Sequence, residues 1–202
     1  MSEKTTEQPV GSAPNIPWRS SLGGGAREEA RQSGKLVFVY LWHHFCGGSK
    51  TMGERTYPDE TARSYLERHF VPVRFNTIED PSVPADFGSG WTPTLIVEDA
   101  EGREHRRSQG YLDPERFVGE LSLARVKDAV DRHDYEAARE RAGEALKKTA
   151  GDPWREPEVL YWKAVADFEV SEDRDDLTGG WEPLMERFPG SEWAKKASYV
   201  RE

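Results

Sequence analysis

Only one cysteine, Cys46, occurs in the 202 residues of this chain. An intramolecular disulfide framework needs at least two, so none can form. Long apolar runs are missing as well. No early stretch has the length and hydropathy of a secretory h-region or of a membrane-spanning helix. Met1 to Asn15 is instead polar and rich in Ser, Thr, Glu and Pro, which reads as a disordered tail. The expectation is a chain in a reducing cytoplasm, with Cys46 kept as a thiol and no membrane contact. Positive charge is also scarce. Lys and Arg number 28 against 37 Asp and Glu, a net charge of −9, which argues against a nucleic-acid footprint, since that would need a basic face. The one run of opposite sign, Arg103 to Arg107, is short and reads as a solvated strand or turn. The five histidines include His43 and His44 beside Cys46, but successive strand-end residues point to opposite sides. His69, His105 and His133 have no ligand spacing, and a structural zinc site wants four donors. No metal and no cofactor is expected.

What is present is strongly patterned. A composition of 36% hydrophobic and 32% charged residues allows a modest core under a heavily solvated surface, in one domain or a small domain with an appendage. Gly25 to Gln32 holds good helix formers and Ser33-Gly34 supplies the stop. Leu36-Val37-Phe38-Val39-Tyr40-Leu41 reads as a buried strand. It leads into Trp42-His43-His44-Phe45-Cys46-Gly47-Gly48-Ser49-Lys50, a turn feeding a helix over Ser49 to Arg55. Tyr57-Pro58-Asp59 breaks that helix, and Asp59 is placed to cap the next, in which Ala62, Tyr65, Leu66 and His69 or Phe70 recur at helical spacing. Val71, Val73 and Phe75 alternate with Pro72, Arg74 and Asn76. That is a second strand, and Pro72 puts it at an edge or in one-sided pairing. Thr77 to Trp91 is a loop with room for one helical turn. Thr94 to Val97 is a third strand, Asp99-Ala100-Glu101-Gly102 a turn, and Glu104 to Gln109 a fourth, polar strand. Asp113-Pro114 then opens a helix, with Asp as cap and Pro at the first helical position.

A βαβ unit, a hairpin and a closing helix in this order resemble the thioredoxin-like superfamily, whose turn is usually W-C-x-x-C-K. Here Phe45 precedes the cysteine and Ser49 stands in place of the second thiol. Thr92-Pro93-Thr94 resembles the family's T-P-T element, whose proline is cis, and Asp99 to Gly102 with Gln109-Gly110-Tyr111 resembles its hairpin ending. Thr56 to Val71 is similar to the T-x-x-D-x-x-x-x-x-L-x-x-x-F-V segment of members with a C-x-x-S turn. The resemblance covers 16–126 and implies an α/β fold, a central mixed sheet flanked by helices. Residues 127–202 read as an all-α helical-hairpin region. Tyr135, Ala138, Ala142 and Ala145 form one stripe, Leu160, Tyr161, Ala164 and Phe168 a second, Trp181, Leu184, Met185 and Phe188 a third. Asp134 to Ala138 and Arg187 to Ala194 look like tetratricopeptide-type helix pairs, although Gly179, Gly180 and Pro183 are expected to disturb one helix. Such repeats commonly present a protein-binding face.

A cysteine between a strand and the first turn of a helix faces unpaired backbone N–H groups, which favour the thiolate that attacks in disulfide exchange. The expected catalytic residues are Cys46, the nucleophile, and Ser49, its hydroxyl partner. Phe45, Gly47, Gly48, Trp91, Thr92 and Pro93 are expected to bind the substrate chain, the last three by the position that the resemblance gives them. Ser49 cannot resolve a mixed disulfide, and the resemblance puts Tyr40 where the family usually keeps a buried acid. Isomerisation, reversible capture or deglutathionylation of protein substrates bearing thiols or disulfides therefore suits this turn better than net reduction. Two readings stay open: a chemically competent thiol, and a non-enzymatic module that uses the same groove and the helical tail to hold a protein partner. A lesser third comes from the C-G-F-S turn of monothiol glutaredoxins, which Cys46 to Ser49 resembles in three letters. It would imply glutathione and an iron–sulfur cluster, but the lysine expected before that turn is absent.

Overall fold

The apolar run after Gly34 has no polar face, and it lies where none is needed. In the computed structural model, which describes residues 16–201, β1 (Leu36–Trp42) is buried along its whole length. It is paired on both sides. β2 (Phe70–Asn76) runs parallel to it, β3 (Thr94–Glu98) antiparallel, and β4 (Glu104–Gln109) antiparallel to β3. The sheet order is β2-β1-β3-β4. β2 is thus an edge strand, where the missing N–H of Pro72 costs no inner ladder bond. The Pro72 carbonyl still accepts from Arg19 N–H (2.9 Å), which adds a one-residue parallel bridge, Arg19 to Val73. The tail expected over Met1 to Asn15 lies outside the described residues.

Alternation along β1 sorts its side chains between two layers. Val37, Val39 and Leu41 join Val71, Val73, Ile96, Ala26 and Ala30 in one core. Phe38 and Tyr40 face the other way, into an aromatic cluster with Trp18 and Tyr57. Between the strands lie the helices. A π-turn, Leu22–Ala26, runs into α1 (Arg27–Ser33), which ends on left-handed Gly34. α2 (Gly47–Thr51) continues as a second π-turn, Met52–Thr56. α3 (Glu60–His69) starts on Asp59, whose carboxylate accepts from Ala62 N–H at 2.9 Å. α4 (Val83–Asp86) is the single turn in the 77–91 loop. Of the run from Arg103 to Arg107, His105 is buried near Asp99 (3.4 Å), and Arg107 pairs with Glu104.

The chain divides into two compact units, Met1–Pro114 and Glu115–Glu202. The boundary placed after residue 126 falls inside α5 (Pro114–Asp131), which runs unbroken through it. In the second unit, Leu123, Val126, Ala129 and Val130 of α5 pack on the alanine stripe Ala138, Ala142 and Ala145 of α6 (Tyr135–Thr149). Val159 and Ala166 of α7 (Glu156–Ser171) complete that core. A further cluster joins Ala164 to Trp181, Leu184 and Met185 of α8 (Arg174–Arg187) and to Ala194 and Ala197 of α9 (Glu192–Ala197). The disturbance expected from Gly179, Gly180 and Pro183 does not occur, since α8 is continuous. Pro183 lies on its exposed face, and Gly180 sits on Ala164, where a Cβ would come within 2.6 Å of the alanine's Cβ. The glycine is there for close helix packing. Among the described residues no helix is long and apolar enough to cross a membrane.

Candidate functional site

Cys46 stands four residues past β1, in a turn closed by its own N–H donating to the His43 carbonyl (3.1 Å). Its backbone is extended (φ −83°, ψ 116°), the geometry of a helix N-cap, and its sulfur accepts the Ser49 N–H at 3.4 Å. A cap acceptor that can ionise gains from doing so, because hydrogen bonds to a charged acceptor are the stronger ones. Burial of the sulfur opposes ionisation and is the largest single influence. The Ser49 hydroxyl, the Thr92 side chain and the backbone N–H groups of Ser49 and Gly48 together outweigh it, and the thiol is held below its ordinary value. The Ser49 hydroxyl is buried and makes no hydrogen bond. Ionisation of the sulfur offers it an acceptor.

On the opposite side the protonated thiol donates to the Thr92 carbonyl at 3.1 Å. That loop is well anchored. Thr94 Oγ1 donates to the Trp91 carbonyl (2.7 Å), and Gly110 N–H donates to the Pro93 carbonyl (2.8 Å). The Thr92–Pro93 peptide bond is cis. The Pro93 ring lies over Gly48: a Cβ on this glycine would come 2.8 Å from Pro93 Cδ and 3.8 Å from Cys46 Sγ. Gly48 is therefore small because Pro93 is there. Gly47, by contrast, faces open space.

Beneath the turn lies Tyr40. Its hydroxyl donates to the Ser49 carbonyl (3.4 Å) and its ring meets Tyr57 edge-on, centroids 5.2 Å apart. Burial pushes the Tyr40 phenol far above its usual range, so it positions the first turn of α2 and exchanges no proton at neutral pH. His43 Nδ1 is buried without a partner, while His44 is exposed and its ring lies tilted against that of Phe45, centroids 4.0 Å apart. Among the described residues no three His, Cys, Asp or Glu side chains converge as metal ligands.

Cys46, Gly48, Ser49, Thr92 and Pro93 are thus brought together. Phe45 (78% exposed) and Trp91 (63% exposed) are surface side chains. A family model for the thioredoxin-like domain matches residues 25–125, half of the chain. The chain belongs to the thioredoxin-like domain family. Among solved structures, a thioredoxin from Thermus thermophilus is 22% identical over 52% of this chain and 84% of its own, with a TM-score of 0.46. A DsbH oxidoreductase is 18% identical over 61% and 93%, TM-score 0.46. The C-terminal domain of Neisseria meningitidis DsbD, in its oxidised form, is 16% identical over 49% and 89%, TM-score 0.43. Within this thioredoxin-like site, two features had no clear signal in the sequence. Tyr57 marks a break there, yet it is fully buried under the turn; an aromatic just before a proline in a polar stretch was the only hint. The Thr92 carbonyl as the thiol's acceptor is backbone chemistry that no residue type announces.

Proposed function

We propose that this thioredoxin-like protein takes part in thiol–disulfide exchange with protein substrates through the single thiol of Cys46. The observation that carries the reading is the capped sulfur: partly exposed, held by the Ser49 N–H and with its pKa lowered. The Cys46 thiolate attacks one sulfur of a substrate disulfide. The S–S bond breaks, a Cys46–substrate disulfide forms, and the second substrate sulfur leaves as a thiolate that takes a proton from water. Once Cys46 has lost its proton it no longer donates to Thr92, and that carbonyl becomes free to accept from the substrate backbone beside Pro93. Phe45 and Trp91 offer exposed aromatic area to the same chain. Release needs an attacking thiol from outside, from the substrate itself or a small thiol, because the chain holds no second cysteine. Isomerisation, capture and deglutathionylation fit that requirement. The helical region 127–202, read as tetratricopeptide-like, would hold a protein partner.

The test follows alkylation of Cys46 by iodoacetamide against pH, together with mass spectrometry of adducts formed with a disulfide-bonded peptide. A rate that rises through a pKa below the ordinary thiol value of about 8.5, with a one-to-one mixed disulfide, supports the reading. An ordinary pKa with no adduct overturns it in favour of a module that only binds.

A further inference from the structure

Arg74, near the end of β2, has a guanidinium whose hydrogen-bonding groups are not all paired. Its Nη1 is shut off from solvent and makes no hydrogen bond, although proteins normally pair a desolvated guanidinium. The guanidinium carbon lies 5.8 Å from the ring centroid of Trp18 and 5.7 Å from that of Trp42, within cation–π range of both. The indole N–H of Trp18 is likewise buried with no acceptor. Next to these groups a cavity of about 400 Å³ opens, walled by Trp18, Trp42 and Phe75 and reached by Arg74, Glu79 and Asp80. That volume falls within the size range of small-molecule pockets.

Charge narrows the class of ligand. Arg19, also in the lining, is already satisfied by Glu29 at 2.6 Å. Arg74 then faces two exposed carboxylates, Glu79 and Asp80, and the local balance is negative. A phosphate dianion or polyanion would be repelled from this site. A molecule with one carboxylate for the accessible part of Arg74, one ammonium for the acidic pair and an apolar body against the aromatic walls would match both the charges and the apolar surface of the lining. The geometry points to a binding site for a small amphipathic zwitterion, an apolar α-amino acid or a short peptide with free ends. The site shares no residue with the thiol site, so neither reading stands or falls with the other.

The experiment titrates ¹⁵N-labelled full-length protein and follows the indole N–H signals of Trp18 and Trp42. The probes are L-phenylalanine, the dipeptide L-alanyl-L-phenylalanine, N-acetyl-L-phenylalanine, L-phenylalaninamide and inorganic phosphate. Saturable shifts of both indoles are expected with the free amino acid or the dipeptide, and the tighter of the two identifies the source. Removing either charge of the probe, or making Arg74→Gln, should weaken binding by at least about tenfold, the scale of a lost charge-assisted hydrogen bond. Glu79→Gln alters an exposed side chain and should weaken the zwitterions while leaving the fold intact, so the test survives an Arg74 variant that misfolds. Absence of saturable shifts with both zwitterions would overturn the proposal. So would affinities untouched by Glu79→Gln, or phosphate or the N-acetyl compound binding as well as the zwitterions.

Discussion

At the scale of single residues, the chemistry turns on what surrounds one sulfur. Ser49 contributes twice, by its backbone N–H (3.4 Å) and by a buried hydroxyl without a partner. Ser49→Ala keeps the first and removes the second. The Cys46 pKa should then rise toward the ordinary thiol value, read from the pH dependence of alkylation. Stability at acidic pH, with the thiol protonated, should be unchanged or improved by up to about 1 kcal/mol, since the deleted hydroxyl was desolvated and unpaired. A loss of thiolate character without a change in stability separates an electrostatic role for this hydroxyl from a packing one. The same lowered pKa links folding to pH. For an acid held below its unfolded value, the stabilisation is complete above that unfolded value, about 8.5, and is lost as pH falls through the folded pKa. Urea midpoints of the wild type should therefore gain on those of Cys46→Ala as pH rises from the folded pKa to about 8.5, then run level. A constant gap across that window would show that the folded and unfolded thiols titrate alike.

Elements are where sequence and structure agree best, and where the reasons for exceptions are plainest. The four strands, the Asp59 cap and the edge position of β2 were legible because each rests on local rules: an apolar run, an N-cap side chain, a proline with no N–H. The unbroken course of α8 was not, because the rule that glycine and proline break helices ignores what a neighbouring helix needs. Gly180 is set by its approach to Ala164, a contact sixteen residues away in the chain. The two glycines after Cys46 give a similar lesson, since both were expected to serve the substrate chain alike. Only Gly48 meets the Pro93 ring. Gly48→Ala should push α2 away from Pro93, at a cost of about 1–3 kcal/mol from overpacking, and slow alkylation or mixed-disulfide formation. Gly47→Ala, with open space around it, should leave both unchanged or gain a few tenths of a kcal/mol from helix propensity, about what alanine offers over glycine at a helix start. Paired denaturation curves and adduct rates for the two variants check this. Equal effects would mean that the turn, and not its fit to Pro93, governs both.

For the whole molecule, one cysteine in 202 residues limits what the chain can do unaided more firmly than any local geometry. That constraint was fully legible in the sequence, as was the grouping of Cys46, Ser49 and Pro93. Their surroundings were not, because Tyr40 with Tyr57, and Arg74 with Trp18 and Trp42, are brought together only by the fold. If Cys46 captures a substrate, its sulfur is consumed once per chain, and nothing inside the protein can reverse the bond. Position 49 is where an internal remedy would have to sit. Residues three apart on a helix share a face, and Ser49 already directs its N–H at the Cys46 sulfur. Ser49→Cys should therefore supply an attacking thiol within reach of the mixed disulfide, closing an internal disulfide between the introduced sulfur and Cys46 and expelling the substrate thiol. Wild type mixed with a disulfide-bonded peptide should accumulate an adduct, at most one per chain, that persists until a thiol such as dithiothreitol is added. In the Ser49→Cys variant that adduct should shrink to a minor fraction while oxidised protein and free reduced peptide appear together, in equal amounts by mass spectrometry. Adduct that accumulates equally in both proteins would mean that position 49 is not what withholds release, and that geometry around the substrate sulfur does so instead.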